Sequence, residues 1–149
     1  MSNIKGENPG NEFQGRLYVS FVITGKKFLP NDITAKLEIQ PEQSFKYGEI
    51  KRNSKGEERV RKSSYWCISS DNKGFSPNDA VPHFEWLIGI LEPVSEKLKE
   101  ILSDKNIEAR ITCFWITPDG RINLEVEPGM TARLANLNMK IWFDIYCNH

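Results

Sequence analysis

Apolar and polar side chains alternate along the first hydrophobic stretch of the chain. From Arg16 to Thr24, Leu17 and every second residue after it form an apolar row, while Tyr18 begins a mixed row on the other side. A period of two predicts a strand with one buried face. Five further stretches carry this pattern and are also predicted to be strands: 43–47, 60–69, 108–117, 121–127 and 139–146.

A tight-turn sequence separates two of these stretches, 108–117 and 121–127. Pro118, Asp119 and Gly120 are all residues that favour turns, so we expect the two stretches to form a hairpin. The stretch 108–117 is apolar on both faces. This composition predicts an interior position in the sheet.

Helical periodicity is strongest from Val81 to Leu102. Apolar residues recur there at spacings of three and four, which predicts a long amphipathic helix capped by Asn78 or Asp79. Pro93 lies inside the pattern. Because a proline removes a backbone hydrogen bond and clashes with the preceding turn, we expect a kink near Leu91.

A five-residue phrase occurs twice in the chain. Residues 33–37 read ITAKL and residues 130–134 read MTARL. Each phrase follows a proline, Pro30 or Pro128, and proline suits the first turn of a helix. The repeat predicts two short helices, and it indicates two related strand-and-helix units that share one sheet.

The elements follow the order β-α-β-β-α-β-β-α-β. Strands interleaved with helices and hairpins predict an α+β fold with an antiparallel or mixed sheet of about six strands. One long and two short helices should pack on one face of that sheet. We expect residues 15–147 to form a single domain. Residues 1–14 are rich in Asn, Gly, Ser and Glu, which predicts a flexible tail.

Composition limits the class of protein further. The 149 residues carry no net charge at pH 7, so overall charge attracts neither nucleic acid nor an anionic membrane. Cys67, Cys113 and Cys147 are far apart and form no CxxC pair, which predicts free thiols in a reducing cytoplasm. No apolar run approaches a membrane span or the centre of a signal peptide. We therefore expect a cytoplasmic protein that does not contact membranes.

Catalytic chemistry has little support in the sequence. His83 lies near the start of the long helix without a Ser or Cys nucleophile beside it in sequence, which favours a solvent-facing or capping role. His149 is the last residue. No group of His, Cys and Asp residues has metal-ligand spacing. We therefore expect no enzymatic activity, no metal and no cofactor.

Another set of residues extends over nearly the whole chain. It comprises the Ile23-Thr24-Gly25 segment, Pro30, Ile33, Thr34, Leu37, Ile39, Pro41, Lys46, Gly48, Trp66, Trp86, Leu87, Leu91, Glu92, Pro93, Asp144 and Tyr146. With these spacings, residues 16–146 resemble a bacterial family labelled domain of unknown function four-two-seven-nine. The resemblance implies a compact, intracellular bacterial domain and supplies no catalytic residue.

The sheet face away from the helices is the first candidate binding surface. Aromatic side chains mixed with polar groups on an open sheet suit a protein partner or a flat ligand. Alternatively, a loop, the N-terminal tail or a second copy of the chain covers this face. The expected members are Tyr18, Ser20, Thr112, Asn123, Glu125, Trp142, Asp144 and Tyr146.

The second candidate is a basic loop between Lys46 and Lys62. It carries seven basic and three acidic residues, and its centre, 53–56, has the composition of a hairpin tip. Such a patch can contact phosphates or an acidic partner, or it can keep a sheet edge soluble. The candidate residues are Lys46, Lys51, Arg52, Arg59 and Arg61.

Three functional hypotheses follow. The first is a non-enzymatic protein-binding module, of the immunity or defence-associated kind, that occludes a protein partner. The second is a small-molecule or nucleotide binder with a cleft between the sheet and the basic loop. The third is a homodimer whose sheets associate, so that the open face is structural. Nucleic acid is disfavoured, because Glu125 and Asp144 would face its phosphates and the RNP1 pattern is absent.

Overall fold

The computed structural model describes residues 15–147, and the predicted tail, 1–14, lies outside them. Seven strands are present in the described residues: β1 (Arg16–Gly25), β2 (Gln43–Phe45), β3 (Ile50–Arg52), β4 (Glu58–Val60), β5 (Ser64–Ser69), β6 (Ile107–Thr117) and β7 (Lys140–Cys147). The helices are α1 (Pro30–Leu37), α2 (Val81–Leu91), α3 (Ser95–Leu102) and α4 (Pro128–Asn136). A 3₁₀ turn, Glu92–Val94, joins α2 to α3.

Five strands form one mixed sheet in the order β2-β5-β1-β6-β7. The central strand β1 pairs antiparallel with both β5 and β6, whereas β7 runs parallel to β6. Strands β3 and β4 form a separate two-stranded ribbon. The α+β class and the mixed sheet predicted from the sequence are confirmed, and the sheet has five strands where about six were predicted.

The helices cover one face of the sheet. Strand β1 turns its odd-numbered apolar residues to the helices, and Val19, Phe21 and Ile23 are fully buried there. Trp66 of β5 lies in the same layer, with its ring edge-on to Phe21 at 6.2 Å. Helix residues complete the core: Ile33, Leu37, Phe84, Leu87, Ile88, Leu91, Leu98, Ile101, Met130 and Leu134.

The predicted hairpin of 108–117 with 121–127 is wrong. The edge of β6 where that strand would pair is occupied by β7, in a register from Arg110 opposite Lys140 to Thr117 opposite Cys147. The segment 121–127 is not a strand. Its alternation has another cause, since every second side chain packs against the core and the others are exposed. The half-buried residues are Ile122, Leu124 and Val126.

The basic loop is more ordered than the sequence predicts. The expected strand 60–69 is divided, because its first residue belongs to β4 in the ribbon and only Ser64–Ser69 enters the main sheet. The predicted strand 43–47 shortens to β2. At the ribbon tip the Asn53 side-chain carbonyl accepts hydrogen bonds from the backbone N–H groups of Lys55 and Glu57.

The interruption at Pro93 is confirmed. One 3₁₀ turn replaces the α-helical bonding, and the apolar stripe continues through it, with Leu91 and Leu98 both buried. The predicted cap is displaced by one residue. Ala80 holds the N-cap position, and the Asp79 carboxylate accepts a hydrogen bond from the Val81 N–H at 3.0 Å.

The repeated phrases form equivalent helices, α1 and α4. In each, the threonine hydroxyl donates to the carbonyl four residues earlier, Thr34 to Pro30 and Thr131 to Glu127, both at 3.3 Å. Each helix follows one strand and leads to another that runs in the same direction: β1 and β2 both lie antiparallel to β5, and β6 lies parallel to β7.

Candidate protein-interaction face

The sheet surface opposite the helices carries a row of aromatic rings, and we call it the open face. Alternation on β1 directs Tyr18 to this side, and the strand register places Phe114 of β6 directly opposite it. Their rings stack with centroids 4.9 Å apart. Tyr146 of β7 continues the row, 5.6 Å from Phe114. Three strands thus contribute one continuous aromatic row.

Arginine side chains lie over two aromatic rings of the open face, Tyr18 and Trp142. The Arg16 guanidinium is 5.2 Å from the centre of the Tyr18 ring, and that of Arg110 is 5.0 Å from the centre of Trp142. Arg16 is also held by an ion pair with Asp71. Such cation–π contacts keep long arginine side chains flat against the sheet.

A second aromatic pair lies at the other end of the open face. The rings of Phe45 in β2 and Tyr65 in β5 stack at 5.0 Å, with the Arg61 guanidinium 3.7 Å from the Phe45 ring. A shallow depression of about 290 Å³ lies between Tyr18 and Tyr65. Its floor is lined by small side chains: Ser20, Cys67 and Ser69.

The tyrosine hydroxyls of the open face stay protonated near neutral pH. Burial raises the pKa of Tyr18 above its ordinary value, and burial is also the main reason that the pKa of Tyr65 is raised. At Tyr146 a hydrogen bond to the Asp144 carboxylate raises the pKa. All three hydroxyls are therefore neutral, and the Tyr146 O–H already donates to Asp144.

Comparison with known families decides the classification of this chain. The profile of DUF4279, a domain of unknown function, matches residues 15–148. The chain belongs to the DUF4279 family. The resemblance read from residues 16–146 is thereby confirmed. No curated protein and no solved structure matches the chain.

The open face of the DUF4279 domain unites six of the eight residues predicted for it. Tyr18, Trp142, Asp144 and Tyr146 share this side with Ser20 and Thr112, as the registers show. Trp142 is 58% and Tyr146 51% exposed, so both rings are available to a partner. The Thr112 hydroxyl is buried without a hydrogen-bond partner among the described residues.

Asn123 and Glu125 are wrongly assigned to the open face by the sequence. Their segment, 121–127, belongs to no sheet, so neither residue has a register position beside Tyr18 or Trp142. Both are exposed, on the side of the segment that points away from the core. The error follows directly from the hairpin that the turn sequence predicted.

Sequence reasoning missed Phe114, Arg110 and the pair Phe45–Tyr65. The two-sided apolar pattern of 108–117 indicates that one side of β6 faces something other than the helices. Only the strand register shows that Phe114 lies opposite Tyr18. A ring that pairs across strands from distant parts of the sequence leaves no local signal.

The basic residues of the DUF4279 domain do not converge on one site. Lys51 and Arg59 lie opposite each other on the ribbon, and Arg52 is paired with Glu58 at 2.6 Å. Arg61 lies over Phe45 at the edge of the open face. Lys46 lines a cleft of about 550 Å³ together with Leu29, Pro30, Asn31, Ser44, Phe45 and Glu49.

His83 is an interior residue, so the predicted solvent-facing or capping role is wrong. Its Nε2 donates to the Ser76 carbonyl at 2.7 Å, which leaves Nδ1 to accept from the Ser70 hydroxyl at 2.6 Å. Ser70 Oγ in turn accepts from the Val19 N–H. Since Ser70 is 1% and His83 2% exposed, this pair fastens α2 to β1 and lies beyond the reach of a substrate.

Residues 15–147 contain neither a metal-binding cluster nor a membrane-spanning helix. No group of three or more His, Cys, Asp or Glu side chains is placed to hold a metal ion. No helix of this part of the chain is long and apolar enough to cross a membrane.

Proposed function

We propose that this DUF4279 domain is a non-enzymatic binding module whose open face docks on a protein partner. Its role would be of the immunity or defence-associated kind, in which the domain occludes a functional surface of the partner in the bacterial cytoplasm. The supporting observation is the aromatic and arginine composition of the open face. Trp, Tyr and Arg are the residues that dominate binding energy at protein interfaces.

The open face is also preorganised for binding. Its rings belong to strands of one sheet, and stacking and cation–π contacts hold Tyr18, Phe114 and Trp142 in place. Aromatic side chains with few rotatable bonds lose little conformational entropy when a partner covers them. The depression between Tyr18 and Tyr65 can receive a side chain of the partner.

Capture from the native host tests this proposal. We expect tagged wild-type protein to retain one stoichiometric partner from a cell lysate, identified by mass spectrometry. Trp142→Ala and Tyr146→Ala should each weaken binding of the purified partner by about tenfold or more, as measured by calorimetry. Tyr47→Ala is the matched control, because Tyr47 is similarly exposed at 45% but lies outside the sheet.

Retention of the partner by folded Trp142→Ala and Tyr146→Ala variants would refute the open face as the binding surface. Folding of each variant is checked by circular dichroism and thermal melting. If the lysate yields no partner, the protein-binding role itself is rejected.

A second function, binding of a small molecule or nucleotide, is favoured by the cleft beside Phe45. Lys46 supplies one positive charge there, next to the exposed Leu29. A ligand seated in this cleft should raise the melting temperature, and Lys46→Ala should abolish the rise. Arg59→Ala should leave it unchanged, because Arg59 lies on the ribbon, away from the cleft. Equal effects of the two substitutions would exclude this cleft.

A further inference from the structure

Strand β7 is a long edge strand. It pairs only with β6, so among the described residues its outer N–H and C=O groups have no strand partner. Eight residues extend over roughly 26 Å at about 3.3 Å per residue. Edge strands of monomeric proteins are usually short, strongly charged, bulged or interrupted by proline. The stretch from Lys140 to Cys147 contains no Pro and no Gly, and only two charged residues.

Both faces of β7 expose apolar side chains. Trp142 and Tyr146 are 58% and 51% exposed on the open face, and Phe143 and Ile145 are each 45% exposed on the helix side. A partner docked flat on the open face would cover only the first pair. A strand added alongside β7 would place side chains next to both pairs at once, because its residues also alternate between the two faces.

The charges of β7 identify the added strand as β7 of a second copy. Residues directly opposite each other in an antiparallel pair share a face. With a two-fold axis at Trp142, Lys140 lies opposite Asp144 of the second copy, and symmetry repeats this ion pair. Ile141 then lies opposite Phe143 of the second copy. We propose that two copies of the chain associate through this antiparallel β7–β7 contact.

Neighbouring registers do not satisfy these charges. With the axis at Phe143, Asp144 lies opposite Trp142 and Lys140 lies opposite Tyr146. With the axis at Ile141, Lys140 lies opposite Trp142 and Asp144 lies opposite Asn138. Of these three registers, only the one with its axis at Trp142 pairs unlike charges twice. It also places Trp142, the most exposed ring of β7, against Trp142 of the second copy.

The dimer would extend the architecture of the sheet without changing the fold of either copy. Two five-stranded sheets would join into one continuous sheet, with the helices of both copies on one side. The two open faces would then form a single surface on the other side. This association does not depend on a protein partner, so it is tested independently of the proposed function.

Charge reversal at the edge tests the register. Wild-type protein should be dimeric by light scattering after size exclusion and by sedimentation equilibrium. Lys140→Glu and Asp144→Lys should each raise the dimer dissociation constant by about tenfold or more, because two attractive pairs become repulsive. An equimolar mixture of these two variants should form a heterodimer, since every facing pair is then unlike. The double variant K140E/D144K should regain the wild-type dimer.

Several outcomes would overturn the edge dimer. The edge dimer is refuted if wild-type protein sediments as a monomer at all concentrations measured. Single variants that dimerise like the wild type would exclude this register. Loss of the dimer in Tyr18→Ala, but not in Lys140→Glu, would show that the sheets associate face to face. Dimer formation in the mixture of Lys140→Glu and Asp144→Lys would exclude misfolding as the cause of weak association, because a chain that failed to fold could not dimerise on mixing.

Discussion

Ser70 and His83 illustrate how a sequence can hide a residue's role. The two are 13 residues apart in the chain, so neither marks the other, and His83 follows Pro82 in the first turn of α2. In the fold they form a closed series of hydrogen bonds from the Val19 N–H to the Ser76 carbonyl. Every polar atom in this buried series has a partner, which is the condition for burying them at all.

Removing the Ser70 hydroxyl should therefore destabilise the protein. Ser70→Ala leaves the Val19 N–H and His83 Nδ1 without partners in the interior, and we expect a loss of about 1–3 kcal/mol in the free energy of unfolding. Urea denaturation measures it. Ser76→Ala is the control, because His83 uses the backbone carbonyl of Ser76 and the Ser76 hydroxyl accepts only an exposed hydrogen bond from the Asn78 N–H, so the loss in the free energy of unfolding should stay below about 0.5 kcal/mol. Equal losses would contradict the network.

The three cysteines should differ in reactivity. Cys113 is fully buried, and burial raises its pKa to about 11, while burial also raises the pKa of Cys67. Because the thiolate is the reactive form, both thiols should react slowly at pH 8. Cys147 is exposed. We expect Ellman's reagent to label one thiol quickly in native protein and three after denaturation, and Cys147→Ser should remove the fast phase.

At the scale of elements, the segment 121–127 distinguishes burial from pairing. Its alternation reproduces that of a strand, since Ile122, Leu124 and Val126 pack against the core. Pairing is nevertheless absent there, because β7 occupies the adjacent edge of β6. A local pattern of apolar residues specifies which side chains are buried and leaves open which backbone supplies the hydrogen bonds.

Hydrogen exchange distinguishes a segment that only buries its side chains from one whose backbone is also hydrogen-bonded in a sheet. The backbone N–H groups of residues 122–127 donate no hydrogen bond within the described residues, so we expect them to exchange quickly. The amides of Ile111 and Cys113 should exchange far more slowly, because β6 is paired on both sides. Exchange resolved by NMR measures both groups. Protection in 122–127 that equals protection in β6 would restore the predicted hairpin.

The repeated phrases also place equivalent charges. Lys36 of α1 pairs with Glu100 at 2.7 Å, and Arg133 of α4 bonds to Glu92 through Nε at 3.1 Å. Each short helix is thus joined to the α2–α3 layer by the basic residue of its phrase. Both contacts are exposed, and the hydrogen bonds from the basic partners lower the pKa of both Glu92 and Glu100.

Glu92 should therefore contribute stability that depends on pH. A carboxylate with a lowered pKa in the folded state stabilises the fold above its unfolded pKa, and the effect disappears as pH falls through the folded pKa. We expect Glu92→Gln to melt at a lower temperature than wild type at pH 7, and the difference to vanish toward about pH 3. Glu125→Gln should show no such trend, as Glu125 makes no ion pair within the described residues. A constant difference across this range would contradict the Glu92–Arg133 contact.

At the scale of the whole molecule, the tryptophans report which surfaces are covered. Trp66 and Trp115 lie in the core, whereas Trp142 is more than half exposed on the open face and next to the sheet edge. The protein therefore places one large indole where both the proposed partner and the proposed second copy would cover it. The solvent accessibility of Trp142 therefore reports whether a partner or a second copy covers this part of the open face and the β7 edge.

Acrylamide quenching of fluorescence should depend mainly on Trp142. We expect Trp142→Phe to remove most of the quenchable emission and Trp86→Phe, at a half-buried position, to remove less. If the edge dimer forms, dilution should increase quenching in wild-type protein as Trp142 becomes exposed. Unchanged quenching in Trp142→Phe would show that this indole is already covered in the free protein.

Much of the local structure can be predicted from the spacing of apolar residues and from single prolines. Periods of two predicted β1, β2, β5, β6 and β7, and the helical period predicted the α2–α3 stretch, because the spacing of apolar residues shows which side chains are buried. The repeated phrase predicted α1 and α4, and Pro93 predicted the break between α2 and α3. Tyr18, Trp142, Asp144 and Tyr146 were also placed together, since alternation on β1 and β7 gives the same result whichever strands lie between them.

The pairing of the strands could not be predicted from the sequence. The parallel register of β6 with β7 excluded Asn123 and Glu125 from the open face and brought Phe114 into it. It also left β7 at the edge, and packing of α2 on β1 enclosed His83 with Ser70. The spacing of apolar residues within a segment sets which face of that element is apolar, whereas a hydrogen-bonded neighbour is chosen by competition among all the strands of the chain.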